Sequence, residues 1–466
     1  MKNLNIKEII KETKGKLIQG DEQYKCINFS KDTRSIQKED CYIGIKGATF
    51  DGSKFWKQAL DQGASTVIVE NVEITEEDKK QYPKKNIIKV ENTLEALYKI
   101  ANYKRNKYNI PVIGITGSVG KTSTKDMVAN VISQKYKTLK TLGNNNNNIG
   151  LPFTILRLKD EEAMVLEMGM DHLREIALLS KIARPNICVI TNIGTSHIGI
   201  LGSQENILKA KLEILEGADN PTIIINNDDK LLNKWYEQNK QDKNIITYGI
   251  KNKSDIMAKD IKLTIEDSDY TAILNNQEMK IHIPVGGEHF VLNSLCATAI
   301  GKVLEIENKK IAKGIESFEL TKQRMDITEL KTGIKVINDA YNANCESMQA
   351  SLKILGNSKQ HRKIAVLGDM LNLGEYSKEL HEKVGKAVAE NKIDILICQG
   401  EETKYIVEEA EKQGIKKEKI YKLENREQVI KKLEEIVEPG DVILIKASHS
   451  MKFYEIAEKF ISINKK

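Results

Sequence analysis

The stretch 114-GITGSVGKTSTK-125 decides how the middle of this chain folds, because it joins a strand end, a glycine-bearing turn and a helix start. It ends in Gly-Lys-Thr like a P-loop, but the strict G-x-x-x-x-G-K-[ST] pattern requires glycine where this chain has Ile115. The apolar run 112-VIGIT-116 predicts a buried strand, and we expect the helix to begin near Lys121. The pattern therefore predicts a shortened loop with Ile115 buried in the strand.

A strand, a glycine turn and a helix in this order favour phosphate binding. Backbone N–H groups and the helix N-terminus face the anion in such a loop. Lys121 would neutralise phosphate charge, and the Thr122 hydroxyl would be a ligand for Mg²⁺. The alternative is a glycine turn that caps an ordinary helix, and the surrounding strand and helix argue against it.

Length and composition place the chain among soluble globular proteins. Its 466 residues predict about three domains, with 40% hydrophobic and 30% charged residues. The net charge of +6 is spread over mixed Lys/Glu stretches such as residues 402–419, which are typical of solvated helix faces. A nucleic-acid partner is therefore not expected.

The cysteines and the N-terminus indicate the compartment. The six cysteines lie far apart without a C-x-x-C pair, which favours free thiols in a reducing environment. The N-terminal residues 1–16 lack the apolar core of a signal peptide, and no apolar run is long enough to cross a bilayer. We expect a cytoplasmic protein without a membrane span.

Short apolar runs alternate with helix-length stretches, which predicts an α/β fold with three domains. The expected domains are a small N-terminal α/β module (1–90), a central P-loop ATPase-like domain with a mostly parallel sheet (91–320), and a C-terminal Rossmann-like doubly wound domain (321–466). Predicted strands cover residues 41–45, 66–70, 87–90, 112–116, 163–167, 187–191, 222–226, 334–338, 364–367, 393–398 and 442–446.

Polar loops follow the central strands and should converge at one edge of the sheet. Glu167 ends a buried strand beside the P-loop, where its carboxylate would be either a Mg²⁺ ligand or a solvated group at the strand end. The run 143-GNNNNNIGLP-152 is either disordered poly-asparagine or an ordered turn, and its flanking glycines and proline favour the turn.

Several motifs resemble one family in the same order along the chain. The loop 116-TGSVGKT-122 resembles the ATP loop of the Mur ligases and their relatives, the folylpolyglutamate synthases. The segments 143–152, 191-TNIGTSH-197 and 338-NDAYNAN-344 also fit Mur ligase motifs. The resemblance implies the ATP-binding residues Thr116, Gly117, Ser118, Val119, Gly120, Lys121, Thr122, Ser123, Asn293, Arg324 and Asp339.

The resemblance also implies a metal site and a modified lysine. Two Mg²⁺ ions would be held by Thr122, Glu167, His197 and Lys211, the last as a CO₂-derived carbamate. The residues proposed for catalysis are accordingly Lys121, Glu167, His197 and Lys211. Lys209 is a competing position for the carbamate, and from composition alone either lysine is a surface residue.

The reaction implied is ATP-dependent, ADP-forming amide synthesis through an acyl phosphate. The segments 338–344 and 366-VLGDMLNLGEYS-377 resemble those of the branch that joins D-Ala-D-Ala to UDP-MurNAc-tripeptide. The family resemblance also favours a monomer. The N-terminal elements 32-DTRS-35 and 47-GATFDGSKF-55 would bind the UDP-sugar. The substrate-binding residues implied are Thr33, Arg34, Gly47, Asp51, Asn144, Asn146, Asn147, Tyr341, Asn342 and Asn344.

Two alternatives remain open on the sequence. A sibling Mur ligase would add a different amino acid, and a P-loop switch or binding module would form no amide. Cys345 replaces a usual proline, Asn372 replaces a usual acidic residue, and 446-KASHSM-451 departs from K-G-S-R-x-M. These departures lie in the C-terminal domain, which would bind the incoming dipeptide and close on ATP, so they bear on the choice of amine.

Overall fold

The computed structural model describes residues 2–47, 50–275, 277–359 and 362–464. Three consecutive parts of the chain build three mostly parallel sheets, each with helices packed on it. We call these parts the N-terminal, central and C-terminal units. The predicted α/β class is confirmed.

The N-terminal unit has a mainly parallel sheet in the order β2-β7-β6-β5-β4, with β2 antiparallel to β7, and a separate pair β1-β3. Its strands β1 to β7 are Leu4–Asn5, Lys16–Gln19, Lys25–Cys26, Phe29–Ser30, Cys41–Ile43, Thr66–Val69 and Asn86–Lys89. Its helices α1 to α3 are Ile6–Thr13, Trp56–Asp61 and Glu76–Gln81, and α4 (Thr93–Asn106) leads into the central unit.

The central unit has the sheet order β16-β15-β14-β13-β12-β11-β8-β10-β9. Strands β8 to β16 are Val112–Thr116, Thr138–Lys140, Ala163–Glu167, Ile187–Ile190, Thr222–Asn226, Ile245–Gly249, Ile256–Leu263, Ser268–Leu274 and Gln277–Ile283. Helices α5 to α12 are Lys121–Ile132, Gly150–Leu156, Glu175–Ala183, Ile198–Leu201, Gln204–Leu212, Lys230–Asn239, Glu288–Val303 and Asn308–Glu316.

The C-terminal unit has the sheet order β17-β18-β22-β19-β20-β21, parallel except for β17. Strands β17 to β22 are Asp326–Glu329, Lys335–Asn338, Lys363–Gly368, Ile395–Gln399, Ile420–Leu423 and Val442–Lys446. Helices α13 to α17 are Cys345–Gly356, Ser377–Glu390, Thr403–Lys412, Arg426–Ile436 and Tyr454–Asn464.

The order of the central strands places a ligand crevice at the end of β8. The chain leaves β8 and returns on both of its sides, with β10 on one and β11 on the other, and all three strands run parallel. In open α/β sheets such a switch point opens a crevice beyond the carboxyl ends of the strands. The shortened P-loop, Glu167 and the segment after β11 therefore meet there.

The parallel strands that are largely buried were predicted, whereas the parallel strands β4, β9, β13 and β21, which are short or partly exposed, were not. Strands β8, β10, β12 and β22 have the predicted limits, and every residue of β8, β10 and β22 is buried. The antiparallel extension β14 to β16 was not predicted, because its strands expose one face and carry many charged residues. Within the described residues, no helix is both long and apolar enough to span a bilayer.

A buried lysine lies where α4 packs on the central unit. Lys104 is 1% exposed, and its Nζ donates a hydrogen bond to the Leu156 carbonyl oxygen at 2.6 Å. Burial lowers the pKa of Lys104 from 10.5 to about 8. The charged form is therefore disfavoured in the folded state.

This lowered pKa predicts how stability depends on pH. Above pH 8 the unfolded chain keeps the Lys104 proton while the folded chain loses it, so deprotonation favours folding. Between pH 8 and pH 10 the free energy of unfolding of the wild type should rise by about 2 kcal/mol relative to Lys104→Met. Denaturant unfolding of both proteins at each pH measures this rise. Lys99→Met is the control, since Lys99 is exposed on the same helix. If the wild type shows an equal rise in the free energy of unfolding relative to Lys99→Met, the rise is not due to Lys104.

Candidate active site

The shortened P-loop has the geometry expected for close approach of an anion. Helix α5 begins at Lys121, and Gly117 and Gly120 have φ angles of 148° and 82°, which favour glycine. A Cβ atom on Gly117 would lie 1.9 Å from Thr191 Oγ1. Ile115 is fully buried in β8, so the prediction for this position is confirmed.

The segment after β11 holds this loop in shape. The Ser118 N–H donates to the Asn192 carbonyl oxygen at 3.1 Å, and the Val119 N–H donates to Asn192 Oδ1 at 2.9 Å. Thr191 Oγ1 donates to the Val119 carbonyl oxygen at 2.7 Å. The loop is thus braced from the neighbouring strand, and the N–H groups of the first turn of α5 are left to face a ligand.

Lys121 folds back over the loop. Its Nζ donates to the Gly117 carbonyl oxygen at 2.7 Å and to the Ser118 carbonyl oxygen at 3.3 Å. Burial lowers the pKa of Lys121, Glu167 opposes that shift, and Arg324 adds to it. A phosphate bound here would supply the negative charge that this cationic site lacks.

Glu167 has one carboxylate oxygen engaged and one free of protein partners. Its Oε1 accepts hydrogen bonds from Thr122 Oγ1 at 3.2 Å and from Asn146 Nδ2 at 2.9 Å. Its Oε2 is buried without a hydrogen bond. An unpaired buried carboxylate oxygen is costly unless a cation or a donor occupies the adjacent space. Thr122 and Glu167 therefore fit a Mg²⁺ ion.

His197 lies in the same cavity in a form able to bind a metal. Burial and then Lys211 lower the pKa of His197 to about 4, so the imidazole is neutral at pH 7. Its Nδ1 lies 3.2 Å from Asp171 Oδ1, although this buried nitrogen makes no hydrogen bond. The φ angle of His197 is 65°, a conformation that is rare for residues other than glycine and is often found at functional sites.

The two candidate lysines on α9 differ sharply in environment. Lys211 is 1% exposed, whereas Lys209 is exposed. Burial, with Lys121 nearby, holds the pKa of Lys211 well below its usual value. Of the two lysines, Lys211 is the buried one, as a neutral, CO₂-reactive lysine requires.

The asparagine run forms an ordered turn, as predicted. Asn147 Oδ1 accepts the Gly150 N–H at 2.8 Å at the start of α6, and Asn146 reaches Glu167. Asn144 is exposed at the mouth of the cavity. Asn293 also lines the cavity: its Oδ1 accepts from Thr124 Oγ1 at 3.0 Å, and its Nδ2 is buried without a partner.

The C-terminal unit places an arginine on the P-loop helix. Arg324 Nη2 donates to Thr122 Oγ1 at 3.2 Å, and its guanidinium carbon lies 4.0 Å from the centre of the Tyr341 ring. Its Nε is buried without a partner. Because Arg324 precedes β17, the two units share one cationic site.

Asp339 is tied into a buried ion pair. Its Oδ2 accepts from Lys446 Nζ at 2.5 Å and from Ser351 Oγ at 2.6 Å, and its Oδ1 accepts the Met325 N–H at 3.1 Å. Lys446 was not among the predicted site residues, although it ends the predicted strand 442–446. A cation at the end of a buried strand was the available signal.

One cavity of about 1340 Å³ joins these groups. The predicted residues that line it are Ser118, Val119, Gly120, Lys121, Thr122, Ser123, Asn144, Asn146, Asn147, Glu167, His197, Asn293, Arg324, Asp339, Tyr341, Asn342 and Asn344. Among the described residues, those predicted for the site that lie outside this lining are Thr33, Arg34, Gly47, Asp51, Thr116, Gly117 and Lys211.

The predicted UDP-sugar residues lie in the N-terminal unit, away from this lining. Asp32 caps the short helix that holds Thr33 and Arg34, and Arg34 forms an exposed ion pair with it. Hydrogen bonding to Arg34 lowers the pKa of Asp32 to about 2. Asp51 caps the next short helix, and Ala48 and Thr49 of the predicted 47–55 element lie outside the described residues.

The protein side chains alone do not complete a metal site. Across the described parts of the chain, no three or more His, Cys, Asp or Glu side chains are grouped to hold a metal ion. Mg²⁺ commonly takes one or two protein ligands and completes its shell with water and substrate phosphates. Thr122 and Glu167 beside a phosphate loop suit that pattern.

The departures noted in the sequence are accommodated locally. Cys345 is the first residue of α13, a position where proline is favoured but not required, and Asn344 caps the helix. His449 of 446–451 donates from Nδ1 to the Tyr341 carbonyl oxygen at 3.0 Å. Asn372 has a φ angle of 63° in a turn, which asparagine tolerates better than most residues.

Family profiles match most of the chain. Residues 29–105 match the Mur ligase family catalytic domain, residues 115–301 the Mur ligase middle domain, and residues 323–449 the Mur ligase glutamate ligase domain. The sequence is 35% identical to a Bacillus subtilis UDP-N-acetylmuramoyl-tripeptide--D-alanyl-D-alanine ligase, over 98% of both chains. A ligase of the same name from Synechocystis is 35% identical over 94% of this chain and 92% of the relative.

Solved structures agree with the sequence comparison. MurF from Acinetobacter baumannii has a TM-score of 0.89 and 26% identity, with 99% of both chains covered. MurF from Thermotoga maritima in complex with ADP has a TM-score of 0.81 and 29% identity, covering 93% of this chain and 97% of that one. With these matches spanning all three units, the chain belongs to the Mur ligase family.

Proposed function

We propose that this chain is an ATP-dependent ligase that joins D-Ala-D-Ala to UDP-MurNAc-tripeptide and forms ADP, phosphate and the pentapeptide precursor of peptidoglycan. The observation that carries the proposal is a single cavity in which the P-loop, Glu167 and Arg324 converge with the 338–344 segment. Relatives that are about one-third identical over nearly the whole chain bear the name of this activity.

The chemistry requires two anions to meet. A carboxylate of the muramyl peptide attacks the γ-phosphorus of ATP, the bond to the ADP oxygen breaks, and an acyl phosphate forms. Lys121, Arg324 and the first-turn N–H groups of α5 reduce the repulsion between the anions and orient the γ-phosphate. Mg²⁺ on Thr122 and Glu167 would supply further charge neutralisation.

The second half of the reaction forms the amide. The amine of D-Ala-D-Ala attacks the acyl carbon, gives up a proton, and the tetrahedral intermediate expels phosphate. Tyr341, Asn342 and Asn344 approach the site from the C-terminal unit. Closing the two units around the acyl phosphate would keep water from hydrolysing it.

The remaining assignments follow from this proposal. Residues 1–90 would bind the UDP-sugar, residues 91–320 ATP, and residues 321–466 the dipeptide. Asn293, Ser123 and Asp339 would contact ATP, and the enzyme would act as a cytoplasmic monomer. The free, buried state of all six cysteines is compatible with a reducing compartment.

We propose further that Lys211 is carbamylated and, with His197, holds a second Mg²⁺. Its burial supports this proposal, because a lone buried ammonium is costly and a carbamate bound to a cation is not. Its lowered pKa leaves part of the amine neutral and able to react with CO₂.

The activity itself is tested by a substrate panel. Phosphate release by the purified chain should require ATP, UDP-MurNAc-tripeptide and D-Ala-D-Ala together. Release with a single amino acid in place of the dipeptide indicates a sibling ligase. Release with ATP alone at the same rate indicates a switch or motor and contradicts the proposal.

Lys121→Ala should lower substrate-dependent phosphate release by about 10²-fold or more, because it removes a charge that stabilises the transferring phosphate. Steady-state kinetics with all three substrates measure the loss. Lys137→Ala is the matched control, since Lys137 is exposed and pairs with Asp160. Normal kcat in the Lys121 variant would remove the lysine from the mechanism.

Lys211→Ala should be nearly inactive and should recover activity when a short carboxylate such as acetate is added, because the anion replaces the carbamate. Lys209→Ala is the control, and we expect its activity to match the wild type, because Lys209 is exposed on the same helix. An inactive Lys211 variant that no carboxylate restores, or a fully active one, contradicts the carbamate.

A further inference from the structure

The C-terminal unit forms hydrogen bonds with the segment that carries His197, both before and after this residue in the chain. Before His197, Asn344 Nδ2 donates to Ser196 Oγ, and Glu346 bonds Thr195. After His197, Tyr376 Oη donates to the Gly202 carbonyl oxygen at 2.6 Å. We call residues 192–202 the bridging segment.

The Glu346 contact is the most specific of these. Its Oε1 accepts the Thr195 N–H at 2.8 Å, and its Oε2 accepts the Thr195 hydroxyl at 3.1 Å. Burial raises the pKa of Glu346, and its hydrogen bonds with Thr195 oppose that shift. One carboxylate thus holds both the backbone and the side chain of one residue across the boundary between two units.

Gly194 makes room for this carboxylate. A Cβ atom at position 194 would lie 2.8 Å from Glu346 Cδ and within 3.0 Å of both carboxylate oxygens. Gly194 does not have a positive φ angle, so its backbone places no special demand for glycine. The space is needed for Glu346.

The bridging segment also shapes the ATP site. Asn192 at its start bonds the N–H group of Val119 in the P-loop, and His197 faces the same cavity. Thr195 lies between them. Holding Thr195 therefore restrains both the loop that would bind phosphate and the histidine that would bind the second metal.

We propose that Glu346 is a positioning residue that fastens the bridging segment to the C-terminal unit and so sets the place of His197 when the units close. The inference rests on the proposed ligase function for its kinetic effect. Glu346 lies between the 338–344 motif and Met348, and it is not among the residues that the sequence predicts for the site.

A simpler explanation is that Glu346 stabilises its own helix. It lies in the first turn of α13, where an acidic side chain interacts favourably with the helix dipole. The two explanations differ for Glu346→Gln, which keeps an acceptor for Thr195 and loses the charge. Glu379 offers a matched control, because it lies in the first turn of α14, is exposed, and pairs with Lys383.

The first experiment measures kcat and KM for ATP. Glu346→Ala should lower kcat about tenfold, the size of effect expected when the hydrogen bonds with Thr195 are lost. Glu346→Gln should stay within about threefold of the wild type, and Glu379→Ala should match it. A Gln variant as impaired as the Ala variant overturns the proposal, because charge and not the Thr195 contact would then matter.

A double-mutant cycle tests the contact across the boundary. Gly194→Ala should displace the Glu346 carboxylate and lower kcat about tenfold by itself. In the Glu346→Ala background the same substitution should have little further effect, since the carboxylate is gone. Losses that multiply in the double variant overturn the proposal.

Amide hydrogen exchange gives a readout that needs no catalysis. Exchange of the peptide that contains Thr195 should be about tenfold faster in Glu346→Ala than in the wild type and unchanged in Glu379→Ala. Unchanged exchange in Glu346→Ala overturns the proposal that Glu346 fastens the bridging segment. If exchange becomes faster but the wild type makes no amide, the role of Glu346 in holding Thr195 is supported and the proposed ligase function is wrong.

Discussion

The pairing of Thr122 with Glu167 is the contact around which the site is built. It ties the first turn of α5 to the end of β10 and leaves one carboxylate oxygen buried without a partner. Thr122 Oγ1 also accepts a hydrogen bond from Arg324 Nη2 of the C-terminal unit. The Thr122 hydroxyl therefore lies between a carboxylate and a guanidinium, beside a phosphate loop. A bound Mg²⁺-nucleotide would place its cation near the carboxylate and its phosphates near the guanidinium.

Two cationic side chains lie beside this pairing, Lys121 on the phosphate loop and Arg324 from the C-terminal unit. Burial lowers the pKa values of Lys121 and Lys211, and His197 is neutral at pH 7. Without a ligand, such a site is electrostatically unfavourable, and a triphosphate would relieve it. The site is positioned by the central strands β8 and β10, which are buried at every residue.

The sequence was most informative where both faces of an element are buried. The limits of β8, β10, β12 and β22 were predicted, as were the shortened loop and the start of α5, because uninterrupted apolar runs and glycine turns are local signals. The extension β14 to β16 was missed, since half-exposed strands with many charges resemble loops. Asp171 was missed as well, although it follows Glu167 by only four residues in the same loop.

Local sequence could not distinguish Lys211 from Lys209, two residues apart on one helix, because exposure depends on which helix face meets the rest of the protein. Nor could it bring Glu346 to Thr195 or Lys446 to Asp339, which are distant in the chain. The amino-acid sequence by itself determined the α/β class, the phosphate loop and the family motifs, since these depend on residues close together along the chain. Only the tertiary structure decided which charges share a cavity and which contacts join the units, because those depend on the packing of whole sheets against one another.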